Sequence, residues 1–117
     1  MPDDAILDLA RLREVFEDDE AGIVELLEMA LGTGGKHVAH LKDALAAHDA
    51  EGLHRAAHGI KGSASNIGAL QVARISAEIE EQARNARWDG ISELVTALDA
   101  AYAALREHVR SYRAEVM

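Results

Sequence analysis

Residues 53–67 read Leu53-His54-Arg55-Ala56-Ala57-His58-Gly59-Ile60-Lys61-Gly62-Ser63-Ala64-Ser65-Asn66-Ile67. At about 100° of rotation per residue, Leu53, Ala56, Ala57, Ile60, Ala64 and Ile67 fall on one stripe. That is the spacing of a helix face turned towards a core. His54, His58, Lys61, Gly62 and Ser65 fall on a second stripe at its flank. The second stripe is neither apolar nor a solvated run of Glu and Lys. Fold and chemistry are therefore both to be read from this helix.

Working outward, the same 3–4 periodicity predicts further helices. A short one spans about Ile6 to Phe16, with Ile6, Leu9, Leu12 and Phe16 on one side. Asp18 and Asp19 offer N-caps for a second, carrying Ile23, Leu26, Leu27, Ala30 and Leu31. Gly32-Thr33-Gly34-Gly35 then interrupts the pattern, and each glycine costs ~1 kcal/mol in a helix interior. A break or kink and a continuous rod are both open there. Periodicity resumes at Val38, Leu41, Ala44 and Leu45. The His-bearing helix runs from about Asp49 to Asn66. Another runs from about Ala69 to Arg87, and a last one from about 90 to 114. Trp88-Asp89-Gly90 marks the turn between those two, with Trp88 as a lid on the bundle's end. Long helices joined by short turns pack antiparallel. The expected fold is all-α: an antiparallel up-down four-helix bundle with a short additional N-terminal helix, one domain over residues 1–117.

Composition agrees. Of 117 residues 49% are apolar and only 3% aromatic, which suits packed helices rather than sheets. Cysteine is absent, excluding disulfides, thiolate metal sites and cysteine nucleophiles. With 12 basic against 21 acidic residues the net charge is −9, a balance that repels nucleic acid. The start MPDDAILDLARL lacks the features of a signal peptide. No apolar run approaches the ~20 residues that span a bilayer. The expected location is cytoplasmic, with no membrane partner.

The chemistry concentrates at His58. Histidine offers a neutral, nucleophilic ring near physiological pH. Lys61, one turn on, can reach an anion attached to that ring. Gly59 and Gly62 remove side chains beside it, which leaves room for a bulky reactant. A carboxylate bonded to Nδ1–H would keep the other nitrogen free to attack. Glu78, Glu80, Glu81 and Gln82 on the next helix all lie at about the right height.

The run Ala57-His58-Gly59-Ile60-Lys61-Gly62-Ser63-Ala64-Ser65-Asn66-Ile67-Gly68-Ala69 resembles the signature of histidine-containing phosphotransfer (HPt) domains: alanine, histidine, any residue, aliphatic, lysine, glycine, two small residues, then an aliphatic residue and a glycine. A fainter likeness extends from about Asp8 to Leu105. The resemblance implies a phosphorelay intermediate in two-component signalling. His58 would accept phosphate through Nε2, Lys61 would counter its charge, and Gly62 would clear space. An ungapped alignment from His58 puts Glu80 at the position that orients the ring. The implied partners are a sensor histidine kinase and a response-regulator receiver domain. The receiver would supply Mg²⁺, so no cofactor is expected on this chain and no ATP-binding kinase domain is recognisable in it. Receiver docking would use apolar surface from Ile6, Leu9 or Leu12, and from the second helix near Leu31 to Val38. His54, Gly59 and Ser65 are expected among the docking residues as well.

Two other readings stand beside this one. The histidine stripe could be incidental to a non-catalytic scaffold or dimerisation module. His54 with His58 at i, i+4, or His37 with His40 at i, i+3, could ligate a metal, though neither pair has an obvious third ligand.

Overall fold

The computed structural model describes residues 5–117. Five helices follow one another: α1 (Leu9–Val15), α2 (Glu20–Ala46), α3 (Ala50–Asn66), α4 (Leu70–Arg84) and α5 (Ile91–Val116). There is no strand among the described residues. Aspartates start three of the helices. Asp8, Asp19 and Asp49 each accept a bond from a backbone N–H in the first turn, at 3.2, 3.1 and 3.0 Å, satisfying donors that the helix itself leaves unpaired. Of the two expected caps of α2, Asp19 performs the role. Asp18 instead adopts a left-handed conformation in the turn, with φ of 64°.

The helix ends share one device. In each of the first four, a residue with positive φ follows the last helical turn: Glu17, His48, Gly68 and Ala86. The next amide bonds back to a carbonyl five positions earlier, as in Asp49 N–H to Ala44 O (2.9 Å) and Ala69 N–H to Ala64 O (2.9 Å). This is the Schellman closure. After α2 and α3 the residue completing the closure is also the N-cap of the next helix (Asp49, Ala69). The connectors therefore span only residues 47–49 and 67–69. The same closure ends α4 at Arg84, short of the expected Arg87.

Gly32–Gly35 does not break α2, which runs unbroken through it. Gly34 is buried beneath Tyr102 of α5, and a Cβ there would lie 2.5 Å from the tyrosine oxygen. The Tyr102 hydroxyl donates to Leu31 O at 2.8 Å. The lost helix propensity is offset by a close helix crossing, because tertiary packing outweighs propensity in holding a helix together.

The long helices pack in a ring, with α2 on α3, α3 on α4, α4 on α5 and α5 on α2. Leu27, Leu41, Leu53, Ile60, Ile79, Leu98 and Leu105 fill its centre with almost no exposure. Trp88 stacks on His48 with ring centroids 3.7 Å apart, joining the α2–α3 and α4–α5 connectors at one end. Residues ahead of α1 are tied to the opposite connector. Asp8 N–H donates to Gly68 O and Gln71 N–H to Ala5 O, both at 3.0 Å. Leu7, absent from the periodic pattern expected for α1, is buried there.

The Gly34–Tyr102 contact predicts non-additive stability. Gly34→Ala should destabilise the fold by about 1–3 kcal/mol through overpacking, and by clearly less in a Tyr102→Phe background that lacks the obstructing oxygen. Urea unfolding of the double-mutant cycle measures this; strict additivity would refute the contact.

Candidate functional site

α3 and α4 form a hairpin whose short connector sets which residues come level. His58 lies about ten residues before the connector and Glu80 about twelve after it, and the two meet. His58 Nδ1 is 2.7 Å from Glu80 Oε2, while Lys61 Nζ donates to Glu80 Oε1 at 2.6 Å. Of the four candidates on α4, Glu80 is the one in contact with His58. Glu78 and Glu81 pair instead with Arg74 and Arg84 on the outside of α4.

Burial separates the three side chains. Glu80 is only 4% exposed, Lys61 is half-buried, and the His58 side chain is 65% exposed. The carboxylate thus lies beneath an imidazole that stands out into solvent. Burial favours the neutral acid of Glu80, but the bonds from Lys61 and His58 and their charges outweigh it, holding its carboxyl below the usual glutamate range. An ionised carboxylate can only accept. The nitrogen facing it, Nδ1, therefore carries the proton, and in the neutral ring Nε2 keeps its lone pair.

His54, one turn before His58, extends the cluster. Its Nε2 lies 3.7 Å from Glu80 Oε2. The two imidazoles are nearly parallel, 11° between planes, with centroids 6.5 Å apart. Among the described residues no three of His, Asp and Glu converge on a possible metal site.

The two glycines of α3 differ. A Cβ at Gly62 would meet nothing within 4 Å, so that side of the ring is open. A Cβ at Gly59 would lie 2.7–2.8 Å from the ring of His37. Gly59 thus clears room for a histidine of α2, not for an incoming reactant. Sequence reasoning misses this role of His37; a mid-helix glycine on the α2 side of α3 is the signal for a bulky neighbour there.

The expected docking residues divide. Leu12 is 3% exposed and belongs to the core, which corrects its expected place on a docking surface; it faces inward because α1 packs on α2. Ile6 and Leu9 are partly buried against the core. Ser65 is exposed, and its carbonyl accepts a long bond from Arg11 (3.4 Å). Near Leu31 to Val38, Gly34 and Val38 are buried, whereas Gly32, Thr33 and Lys36 are not.

Known proteins share the sequence pattern and the fold of this chain. The family model of the Hpt domain matches residues 25–108. Among solved structures, the crystal structure of histidine-containing phosphotransfer protein B (HptB) from Pseudomonas aeruginosa PAO1 is similar, with a TM-score of 0.85 and 31% sequence identity over 96% of this chain and 97% of that one. The comparison with curated proteins found no match. No helix among the described residues is long and apolar enough to cross a membrane. With a family match over most of its length and a solved relative of the same fold, the chain belongs to the Hpt domain family, the helical phosphocarrier modules of two-component phosphorelays.

Proposed function

We propose that His58 is the phosphoacceptor of this Hpt domain, that Lys61 and Gly62 serve the bound phosphoryl group, and that Glu80 holds the ring. The reading rests above all on an exposed imidazole whose Nδ1 is bonded to a buried carboxylate. The bundle carrying it is read as antiparallel and up-down, working in the cytoplasm. The donor is a histidine kinase or a receiver aspartyl phosphate, and the acceptor is a receiver domain.

The step follows from the tautomer. The Nε2 lone pair forms the N–P bond as the P–O bond to the donor breaks, and the donor oxygen leaves with that electron pair. No proton has to move, because the Nδ1 proton stays on the ring. The ring becomes cationic, and the Glu80 carboxylate stabilises that charge. Run in reverse, the ring leaves as neutral imidazole. By fixing the proton on Nδ1, Glu80 keeps Nε2 as the atom that takes up and releases phosphorus in both directions, as a carrier requires. Lys61 leaves Glu80 and turns towards the phosphoryl oxygens, and Gly62 leaves their approach open. The receiver brings the acidic residues and Mg²⁺ that neutralise the in-line transition state.

Three outcomes are expected. Incubated with a phosphorylated receiver or with phosphoramidate, the wild type gains an acid-labile, base-stable phosphate by mass, and His58→Gln gains none. Label persisting in His58→Gln removes the assignment. Glu80→Ala stays folded by circular dichroism but transfers roughly 10- to 100-fold more slowly, the scale known for carboxylates that orient metal-binding histidines; an unchanged rate excludes the orienting role. The third outcome concerns acid. Because the folded value of Glu80 lies below its ordinary 4.5, its charge contributes stability that is present above about 4.5 and is lost as pH falls through the lower folded value. Urea midpoints of the wild type should therefore fall more steeply than those of Glu80→Gln below about pH 4.5; parallel curves would contradict this.

A further inference from the structure

Three donor side chains converge on the Glu80 carboxylate. Oε1 is taken by Lys61 at 2.6 Å and Oε2 by His58 at 2.7 Å, while His54 Nε2 waits at 3.7 Å from Oε2. A phosphoryl group on Nε2 would draw the Lys61 ammonium towards it and away from Oε1. Its departure would leave a carboxylate 4% exposed with one donor, the imidazole whose proton it must hold. A buried anion that loses its cation is costly unless another replaces it.

We propose that His54 is a positioning residue for phosphoryl transfer, a reserve cation that takes up the Glu80 carboxylate when Lys61 turns to the phosphate. The inference rests on the phosphocarrier reading of His58 and Lys61. Three observations carry it. His54 sits one turn before His58 on the same stripe of α3, and its Nε2 lies 3.7 Å from the same carboxylate oxygen. Its side chain is 32% exposed, open enough to draw a proton from water and closed enough to interact strongly with Glu80. Its ring lies 11° from parallel with that of His58 with centroids 6.5 Å apart, so the two imidazoles face the carboxylate without overlapping. The exchange balances: Lys61 leaves with its charge, and His54 takes one proton from solvent, keeps it, and donates a hydrogen bond from Nε2–H to Oε2. The His58 ring lies 6.5 Å from that of His54, and Glu51 on the same helix and Arg84 on α4 share a surface groove with His54. Both of these charged groups are engaged elsewhere, Glu51 with Arg55 at 2.9 Å and Arg84 with Glu81 at 2.8 Å. Glu80 is thus the group left to answer a charge on His54.

Side-chain NMR titration of the histidines in the unphosphorylated protein tests this without relying on transfer activity. In Lys61→Met, where Glu80 has lost its lysine, His54 should titrate about one pH unit higher than in wild type. In Lys61→Met/Glu80→Gln the rise should vanish. Equal midpoints in wild type and Lys61→Met overturn the proposal, as does a rise that survives removal of the carboxylate. Phosphorylated wild type, made with phosphoramidate and verified by mass, should show a larger rise at His54 than phosphorylated Glu80→Gln; equal rises would sink the exchange. Failure of His58 to take label at all is seen separately in the mass spectrum, and it bears on the carrier reading instead.

Discussion

A carboxylate with almost no exposure, kept ionised by two donors from the neighbouring helix, is the constraint on which the site depends. Glu80 would be expensive to bury alone. Lys61 and His58 make its burial tolerable, and Glu80 in return fixes the tautomer of His58 and the resting place of Lys61. Each of the three is where it is because of the other two. The ring can therefore stand in solvent and still be held in one orientation, which an exposed histidine on a bare helix would not be.

Around this pairing the fold provides a rigid frame. The core residues of α3 point away from the stripe that bears His58, so packing and chemistry use different faces of one helix. Glycines make room at three places, for different occupants. Gly34 admits the Tyr102 hydroxyl, Gly59 admits the His37 ring, and Gly62 admits nothing from the protein itself. That last opening lies beside the exposed imidazole. Shared residue type conceals distinct physical roles, and the role is decided by what occupies the space.

Much of the architecture is legible in the sequence because helical periodicity is a strong signal. The core stripe Leu53, Ala56, Ala57, Ile60, Ala64 and Ile67 is buried throughout, and Asp49 caps α3 where the pattern places its start. The departures have identifiable causes. The left-handed helix ends are filled by Glu17, His48 and Ala86 as well as Gly68, so glycine punctuation is missing at three of four. At Gly32–Gly35 the punctuation is present, but it answers a neighbour over sixty residues away, Tyr102. Leu12 reads as available for docking because spacing alone does not say how much of an apolar face the core will cover. For Glu80, periodicity leaves four candidates at similar height and the family resemblance chooses among them. What sequence does not supply is the partner of Lys61, since a lysine one turn from a histidine points equally well at solvent, at phosphate or at a carboxylate.

His58 and Glu80, 22 positions apart, lie within a single helical hairpin with a short link. The reactive group is thus assembled from one contiguous stretch of chain, at a small loop-closure entropy. The outer helices contribute burial and surface rather than reactive atoms. Substitutions on their exposed faces can accumulate without touching the contacts among His58, Lys61 and Glu80.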